Sequence, residues 1–582
     1  MERYIACALQ FEPAWGEKER NLERLATLIA EAARQGARLV VAPEMATTGY
    51  IFSNPGEIAP LVEPVPGPTT AALGDLAREH GIYLVLGLPE VDAATGFFYN
   101  TAVLINPQGE VMGRYRKTHA FPPDTRWAVD GDLGFPVFPT AVGRLGMAIC
   151  MDADYFETAR LLALSGAEVV AFPSNWLGHA PSNVWRARAL ENGLYWVAAD
   201  RWGSERGTTF AGGSCIIDPR GQVLAFRERG DGLVLAEIDL VRVRGHVLKE
   251  RRPQAYYWLA LNSYLWTGDE TFSLPAGGEF LVAVFQGAPA ASWLEARAQM
   301  QEWIERAVGY ALQRGLEELA GLAARAPAWP ALPNEEDQRE RRGSSSSSRP
   351  WPEESNRVFA PIFVFPGDFF PVSRNEVKTA LAEVGTLARR LGIYLAFGLT
   401  IEEPFLDSAD RGQGGSRSRP AAALVGPEGE EVMAEAVHYG EEPDSPPSSD
   451  PFLVLDLPGA RVGLVAGRDL FFPETVRILA KKGADLVLAP SAWAQGEEIF
   501  LWAERAAAND VYLAVANLSP PWGAGASAIY GDAKKKERLT VLEKEGWVWL
   551  KVRTTEDSFC RRKEMLRKLR TQWYGPLAQI TG

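Results

Sequence analysis

Three residues in the first half of the chain combine a thiol, a carboxylate and a cation, each close to the end of a predicted strand. Cys150 follows the apolar run Leu145–Ile149, Glu44 follows Val-Val-Ala-Pro, and Lys117 follows Gly-Arg-Tyr-Arg. A nucleophile, a general base and a positive charge are the groups that acyl transfer from nitrogen requires. The pattern therefore predicts a Cys-dependent site that cleaves a carbon–nitrogen bond.

A helical run follows Cys150, so we expect the thiol at a helix N-terminus, where unpaired amides and the helix dipole favour a thiolate. The nearby Asp152 is interpreted as a first-turn capping acid, and His119 as a structural residue. Cys7 and Cys215 lie inside apolar strands and are interpreted as small buried hydrophobes.

Composition narrows the class of protein. The 582 residues are 47% hydrophobic and 23% charged, as in an ordinary globular protein with a large core, and the formal charge is −14. We expect no nucleic-acid partner, no membrane span and no signal peptide. Four scattered cysteines and five ungrouped histidines predict neither a disulfide framework nor a metal site, and a cytoplasmic location is expected.

The first half alternates apolar strands with amphipathic helices, which predicts an α/β sandwich of mixed sheets covered by helices. The predicted strands are Tyr4–Phe11, Arg38–Ala42, Tyr83–Leu88, Ala102–Ile105, Glu168–Phe172, Tyr195–Ala199, Ser214–Ile217, Val223–Phe226 and Leu233–Ile238. Besides the helix after Cys150, helices are predicted at Glu17–Gln35, Thr70–His80 and Val184–Asn192.

The second half repeats the first. Residues 80–88 recur as 391–399, residues 166–176 as 483–493, and residues 191–200 as 508–517, in the same order. A strand at Phe280–Phe285 and a helix at Trp293–Ala324 begin this second copy. Several similar segments that recur in the same order predict a tandem duplication.

The reactive residues are not repeated. Alignment of the copies puts Gly367 in place of Glu44 and Gly467 in place of Cys150, while the position of Lys117 falls near His438. The second copy is therefore predicted to lack this chemistry and to be a pseudoenzyme domain.

At these motifs the chain resembles the nitrilase superfamily of carbon–nitrogen hydrolases, well over residues 4–262 and as a degenerate copy over 279–555. The resemblance implies an αββα sandwich, with Glu44, Lys117 and Cys150 as the catalytic triad. It also implies Asp124 as a second acid and the backbone amide of Met151 as an oxyanion donor. Asp124 stands where many members have a Glu, which is one methylene longer.

The family's subunits commonly pair, so we predict that the two copies pack as a pseudo-dimer, and further homo-oligomer formation stays open. The predicted boundaries are a catalytic domain at 1–262, a linker at 263–278, a degenerate domain at 279–560 and a C-terminal tail at 561–582. A polar, Ser- and Pro-rich stretch at about 327–355 is predicted to be a disordered insertion.

The predicted function is hydrolysis of a small amide or N-carbamoyl compound through a Cys thioester, with release of ammonia and without a cofactor or metal. Nitrile-cleaving members usually carry Trp-Glu after the nucleophile, whereas this chain has Met151 and Asp152, so a nitrile is the less favoured substrate. Arg206 is a candidate for pairing with a substrate carboxylate, although a solvated loop charge is the more frequent role of such a residue. Two alternatives stay open, a catalytically silent scaffold and a partner-binding second half.

Overall fold

The computed structural model divides the chain into two compact units. Unit 1 comprises Met1–Ala260 and Lys568–Gly582, and unit 2 comprises Leu261–Arg567. The described residues are 2–261, 278–313, 359–406, 414–439, 451–494, 496–531, 538–540, 544–554, 562 and 564–579. The predicted insertion at 327–355 and all but the last residue of the predicted linker lie outside them.

Unit 1 contains fourteen described strands and six described α-helices. The strands are β1 (Arg3–Gln10), β2 (Ala37–Val41), β3 (Tyr83–Val91), β4 (Phe98–Ile105), β5 (Val111–Arg116), β6 (Val137–Thr140), β7 (Gly143–Met147), β8 (Val169–Ser174), β9 (Tyr195–Asp200), β10 (Trp202–Glu205), β11 (Thr208–Ala211), β12 (Ser214–Ile217), β13 (Val223–Arg227) and β14 (Gly232–Asp239). The helices are α1 (Lys18–Arg34), α2 (Pro55–Ile58), α3 (Pro68–His80), α4 (Phe156–Leu164), α5 (Asn183–Asn192) and α6 (Tyr257–Ala260).

Two six-stranded mixed sheets form the centre of unit 1, in the orders β14-β1-β2-β3-β4-β5 and β13-β12-β9-β8-β7-β6. Side chains from the facing sides of both sheets share one buried apolar cluster, which includes Ala6, Val41, Met147 and Val197. Alternate strand residues point to opposite faces. The other face of each sheet is therefore available for helices.

Helices cover both outer faces. The apolar stripe of α1, with Leu25 and Ile29, packs with Leu73 of α3 on the first sheet. Leu162 of α4 and Trp185 of α5 pack on the second sheet. This arrangement is the predicted αββα sandwich, because each sheet must bury a second apolar face against another layer.

Unit 2 repeats this architecture over its described residues. Its strands are β15 (Gly278–Gln286), β16 (Ile362–Val364), β17 (Pro371–Ser373), β18 (Tyr394–Leu406), β19 (Gly414–Val425), β20 (Glu431–Glu435), β21 (Val454–Leu457), β22 (Ala460–Leu464), β23 (Leu486–Pro490), β24 (Tyr512–Ala516), β25 (Ala528–Tyr530), β26 (Arg538–Thr540) and β27 (Gly546–Thr554). Its helices are α7 (Trp293–Gln313), α8 (Val377–Leu391), α9 (Pro473–Lys481) and α10 (Phe500–Ala507). One sheet has the order β20-β19-β18-β16-β15-β27, with β17 pairing to β18, and the other runs β21-β22-β23-β24-β25-β26.

Residues Lys568–Gly582, which form the C-terminal segment and most of the predicted tail, belong to unit 1. Tyr574 and Leu577 are fully buried, and Arg251 donates to the carbonyl oxygen of Leu577 at 2.5 Å. The guanidinium of Arg570 donates to the carbonyl oxygen of Thr118 at 3.0 Å. The chain therefore returns to unit 1 after completing unit 2.

Candidate active site

Glu44 lies just beyond the end of β2, at the edge where the sandwich opens. Its backbone presses against β3, since a Cβ atom at Gly87 would come within 2.6 Å of the Cα of Glu44 and 2.5 Å of the carbonyl oxygen of Pro43. A side chain at position 87 would displace the Glu44 backbone. The absence of a side chain there lets the carboxylate enter the site fully buried.

Lys117 follows β5 and is tied to β4 by its backbone amide, which donates to the carbonyl oxygen of Asn100 at 2.8 Å. The ammonium Nζ donates to Oε1 of Glu44 and to Oδ2 of Asp124, each at 2.7 Å. All three charged side chains are at most 1% exposed. The structure thus brings both predicted carboxylates onto one buried cation.

Two residues that the sequence did not single out complete this network. The side-chain amide of Asn100 donates to Oε1 of Glu44 at 2.7 Å and to Oδ1 of Asp124 at 3.0 Å. The hydroxyl of Tyr50 donates to Oδ2 of Asp124 at 3.2 Å, and the backbone amide of Phe121 donates to the same oxygen at 2.9 Å. Asp124, although shorter than Glu, reaches the lysine because a single 3₁₀ turn presents it.

Cys150 lies in the turn that follows β7, with a backbone φ of 47°, in the left-handed region. Only glycine adopts that region readily, so the turn is strained, and such strain is found where a side chain must be presented in one direction. The following residues form a 3₁₀ turn (Cys150–Asp154), and α4 begins only at Phe156. The predicted helical run therefore begins as a 3₁₀ turn at Cys150 and continues as α4 from Phe156.

Burial raises the pKa of the Cys150 thiol well above its ordinary value, and the negative charge of Glu44 adds to that effect. Lys117 and a hydrogen bond from the backbone of Asn175 act in the opposite direction but are smaller. The expected resting thiolate is therefore not favoured. The thiol needs a base to remove its proton, because desolvation penalises the charged form.

The same burial acts on the pKa values of Glu44 and Lys117. Burial raises the pKa of Glu44; the charge of Lys117 opposes this and that of Asp124 adds to it. For Lys117, burial alone would lower the pKa, but the charges of Asp124 and Glu44 prevail and hold it well above its usual range. Lys117 thus stays a cation, while Glu44 gains basic strength.

Oε2 of Glu44 is buried and has no hydrogen-bond partner among the described residues, in contrast to Oε1. A buried carboxylate oxygen without a donor is costly. In this site it is the atom free to exchange a proton with the thiol or with a bound substrate.

Asp152 anchors the Cys150 turn rather than taking part in proton transfer. Its Oδ2 accepts from the hydroxyl of Tyr115 at 2.8 Å and from the backbone amide of Ile149 at 2.9 Å. Its Oδ1 accepts from the backbone of His119 at 3.0 Å and contacts the ring Nδ1 at 2.8 Å. These contacts agree with the structural interpretation of Asp152 and His119.

The remaining predicted residues lie in different surroundings. Met151 follows Cys150 within the 3₁₀ turn, and its role as an oxyanion donor stays a prediction. Arg206 lies on a turn between β10 and β11, with its guanidinium paired to Glu57 at 2.6 Å and its side chain 39% exposed. Its role as a carboxylate-binding residue stays a prediction. Cys7 and Cys215 are fully buried in their strands.

Unit 2 has the same frame without the reactive groups. Gly467 has a φ of 54°, close to that of Cys150, and a Cβ atom there would lie 3.0 Å from Pro420. Gly367 takes the place of Glu44 and approaches Gly398 as Glu44 approaches its own glycine. The corresponding strand pairing puts Ala436, whose amide donates to Pro420 at 2.9 Å, in the place of Lys117.

The position of Lys117 therefore falls at Ala436, two residues before His438, near which it was predicted. His438 corresponds instead to His119, because its ring Nδ1 contacts Asp469 at 2.8 Å as that of His119 contacts Asp152. Within the described parts of both units, no group of three or more His, Cys, Asp or Glu side chains is arranged to hold a metal ion. Nor does any described helix have the length and apolar character needed to cross a membrane.

The αββα sandwich is present twice, and in one copy a buried cysteine lies near Glu44 and Lys117. The family model for carbon–nitrogen hydrolases matches residues 5–245 and again 351–533. The chain therefore belongs to the carbon–nitrogen hydrolase family, the nitrilase superfamily, and the predicted duplication is confirmed.

Relatives match the chain over about one copy. A nitrilase of Pyrococcus abyssi is 40% identical over 258 residues, which are 43% of this chain and 97% of that protein. A deaminated glutathione amidase of Rattus norvegicus is 35% identical over 41% of this chain and 80% of its own length. An omega-amidase of Mus musculus is 32% identical over 41% and 92%. Among solved structures, an amidase of Nesterenkonia sp. has 28% identity and a TM-score of 0.37, covering 42% of this chain and 94% of that one.

Proposed function

We propose that unit 1 hydrolyses a small amide through a thioester on Cys150, with Glu44 as the base, Lys117 as the oxyanion-binding cation and Asp124 as the residue that keeps both in their working charge states. The observation that carries the proposal is the shared lysine. One buried Nζ lies 2.7 Å from Glu44 and 2.7 Å from Asp124.

The first half of the reaction forms the thioester. Oε2 of Glu44 accepts the thiol proton while the sulfur of Cys150 bonds to the carbonyl carbon. The carbonyl electron pair moves to oxygen, where Lys117 and the amide of Met151 stabilise the negative charge. Glu44 then returns the proton to nitrogen, the carbon–nitrogen bond breaks and ammonia leaves.

The second half consumes water. Glu44 removes a proton from a water molecule as its oxygen attacks the thioester carbon, and the carbon–sulfur bond breaks. The thiolate of Cys150 then regains the proton from Glu44, and the carboxylic acid departs. The raised pKa of the thiol supports this scheme, since the protonated resting thiol needs Glu44 as a base in the first half, and the departing thiolate needs the proton that Glu44 returns in the second.

The fit to an amide is supported by three features. The relatives include two amidases that match 80% or more of their own length. The unpartnered oxygen of Glu44 can donate a proton to a leaving nitrogen. Asp152, which stands where nitrile-cleaving members usually have Glu, is fully engaged by Tyr115 and His119. A nitrile is the second candidate, because a relative with 40% identity is named a nitrilase.

The test is ammonia release from a panel of small amides, N-carbamoyl amino acids and nitriles. We expect release from an amide by the native protein and none by Cys150→Ala. Cys215→Ala is a matched control, since that thiol is also fully buried but lies on β12 away from the lysine network. Equal release by native protein and Cys150→Ala would contradict the proposal.

For unit 2 we propose a pseudo-subunit role, in which the degenerate copy serves as the partner that an identical subunit supplies in other members. Its core and its Asp469–His438 anchor are kept, while the reactive positions hold glycine or alanine. Expression of unit 1 together with its C-terminal segment but without unit 2 should give an aggregating protein, and a stable active protein would contradict the role.

A further inference from the structure

The strand ends beside Cys150 are held by a set of buried hydrogen bonds that both units share. In unit 1, the backbone amide of Trp176 donates to Oδ1 of Asp200 at 2.8 Å, and the amide of Asp200 donates to the hydroxyl of Ser214 at 2.8 Å. In unit 2, Trp493 donates to Oδ1 of Asn517 at 2.8 Å, and Asn517 donates to Ser527 at 2.8 Å. The two frames are equivalent.

The backbone around each of these side chains is also the same. Ala211 donates to the carbonyl oxygen of Trp176 at 3.2 Å, and Gly212 donates to that of Arg201 at 3.1 Å. In unit 2, the amide of Ala524 donates to the carbonyl oxygen of Trp493 at 2.7 Å, and that of Gly525 donates to the carbonyl oxygen of Leu518 at 3.0 Å. The carbonyl oxygens of Trp176 and Gly212 therefore correspond to those of 493 and 525.

The copies differ at one side-chain atom. Nδ2 of Asn517 donates to the carbonyl oxygens of Trp493 at 3.1 Å and Gly525 at 2.9 Å. The corresponding atom of Asp200 is Oδ2. This oxygen is fully buried and has no hydrogen-bond partner among the described residues. An ionised carboxylate has no proton to give to two carbonyl oxygens, so an ionised Asp200 would turn a negatively charged Oδ2 toward two acceptors.

We infer that Asp200 is a neutral carboxylic acid whose Oδ2 proton is donated to a main-chain carbonyl of the Trp176 or Gly212 turn, so that the acid replaces the amide of the second copy. The hydroxyl of Ser174 also approaches this carboxyl group. The charged and titratable groups that face it are Glu44, Cys150, Cys215 and Arg201.

Burial favours the neutral form. It raises the pKa of Asp200 well above its ordinary value and outweighs the hydrogen bonds from the Trp176 amide and the Ser174 hydroxyl, which act in the opposite direction, while the charge of Glu44 adds to the rise. Arg201 opposes it, but that guanidinium is bound to Glu205 at 2.7 Å and lies over the ring of Phe210. The geometry and the electrostatics thus agree.

The consequence concerns Cys150. Asp200 fixes the amide of Trp176, and the preceding residue, Asn175, supplies the backbone hydrogen bond to the thiol. A neutral Asp200 fixes this turn without placing another negative charge beside a nucleophile that must become a thiolate. Asp200 is therefore a positioning residue.

The test is the pKa of the Cys150 thiol, measured in the full-length protein from the pH dependence of alkylation by iodoacetamide and located by peptide mapping. If Asp200 is neutral, Asp200→Asn leaves the thiol pKa unchanged and the melting temperature equal or higher. A fall in thiol pKa of about one unit or more in Asp200→Asn would overturn the inference, because it would show that a negative charge had been removed. Failure of Asp200→Asn to fold would overturn it as well.

Two further measurements separate protonation from shape. Infrared spectra of the native protein at neutral pH should contain a protonated carboxylic acid carbonyl band that is lost in Asp200→Asn, and its absence from the native spectrum would overturn the inference. Asp200→Leu is neutral but cannot accept a hydrogen bond from the Trp176 amide. It should lower the melting temperature and change the pH dependence of alkylation, whereas Asp200→Asn should keep the native melting temperature or a higher one and the native pH dependence. Neither measurement requires turnover, so failure of the proposed function would leave this inference open to an independent test.

Discussion

Replacing Asp124 by Asn removes one negative charge from the lysine network with little change in shape. Asp124 and Glu44 each lie 2.7 Å from the same Nζ, so their bonded oxygens are separated by at most twice that distance. Two like charges about 5 Å apart repel by about 3 kcal/mol at an effective dielectric constant of about 20. Loss of Asp124 should therefore lower the pKa of Glu44.

The direction follows from which group must be ionised. Burial raises the pKa of Glu44, with Asp124 adding to it, and the base must be deprotonated to act. In Asp124→Asn the acid limb of kcat/KM should move to lower pH, because Glu44 loses its proton more readily. The plateau should fall about tenfold, since a weaker base accepts the thiol proton less well.

The assay is the pH profile of ammonia release from the best amide of the panel, with Asp124→Glu as the control. Glu keeps the charge, so its acid limb should stay in place whatever its rate. Both oxygens of Asp124 accept from donors, so the Asn variant also loses one accepting oxygen, at about 1–3 kcal/mol of stability. Melting temperatures measured in parallel separate that loss from the pH shift. An acid limb that stays in place in Asp124→Asn, or moves up, would refute the reasoning.

Three further predictions concern the turn at Cys150 and the C-terminal segment. Cys150→Gly and Cys150→Ala should both lack turnover, but calorimetry should find Gly more stable by about 1 kcal/mol, because the φ of 47° is strained for Ala; a more stable Ala variant would contradict the strain. Arg570→Met should lower the free energy of unfolding by about 1–3 kcal/mol and increase amide hydrogen exchange over residues 118–134, because its bond to Thr118 is lost. The same substitution at the exposed Arg567 should change neither quantity. Truncation after Ala260 should destabilise unit 1 in thermal unfolding even where unit 2 is supplied separately, because the C-terminal segment is lost; an unchanged melting temperature would count against that segment's role.

Sequence patterns predicted the parts of the fold that depend on local periodicity. The strand at Ser214–Ile217 has the predicted bounds, and most other strands and helices of unit 1 differ by one to three residues. The duplication could be predicted because the repeated segments form core strands and turns, where packing restricts the residue types. The hairpin of β10 and β11 was missed, since its short strands are polar and lie in a loop region.

Sequence patterns predicted some residues of the site and missed others, because only some of them belong to a local pattern. Glu44, Lys117 and Cys150 stand at strand ends, which local patterns locate. Asn100 and Tyr50 join them through contacts 24 to 74 positions apart along the chain, which no local pattern contains. One signal was available for Asn100, because the second copy has Pro420 at that position.

Burial decides two features that local sequence patterns do not contain. A helix N-terminus was expected to favour the Cys150 thiolate, yet the desolvation of the buried sulfur outweighs it. In the predicted C-terminal tail, Tyr574 and Leu577 are fully buried within unit 1. Both outcomes depend on the tertiary environment.

The most direct test of the central claim is to trap the acyl-enzyme. The protein is mixed with its best amide substrate, quenched in acid during turnover and analysed by mass spectrometry with peptide mapping. The account predicts an added mass equal to the acyl group on the peptide that contains Cys150, and none on the peptides of Cys7 or Cys215. Turnover with no adduct on Cys150, or with the acyl group on another residue, would contradict it.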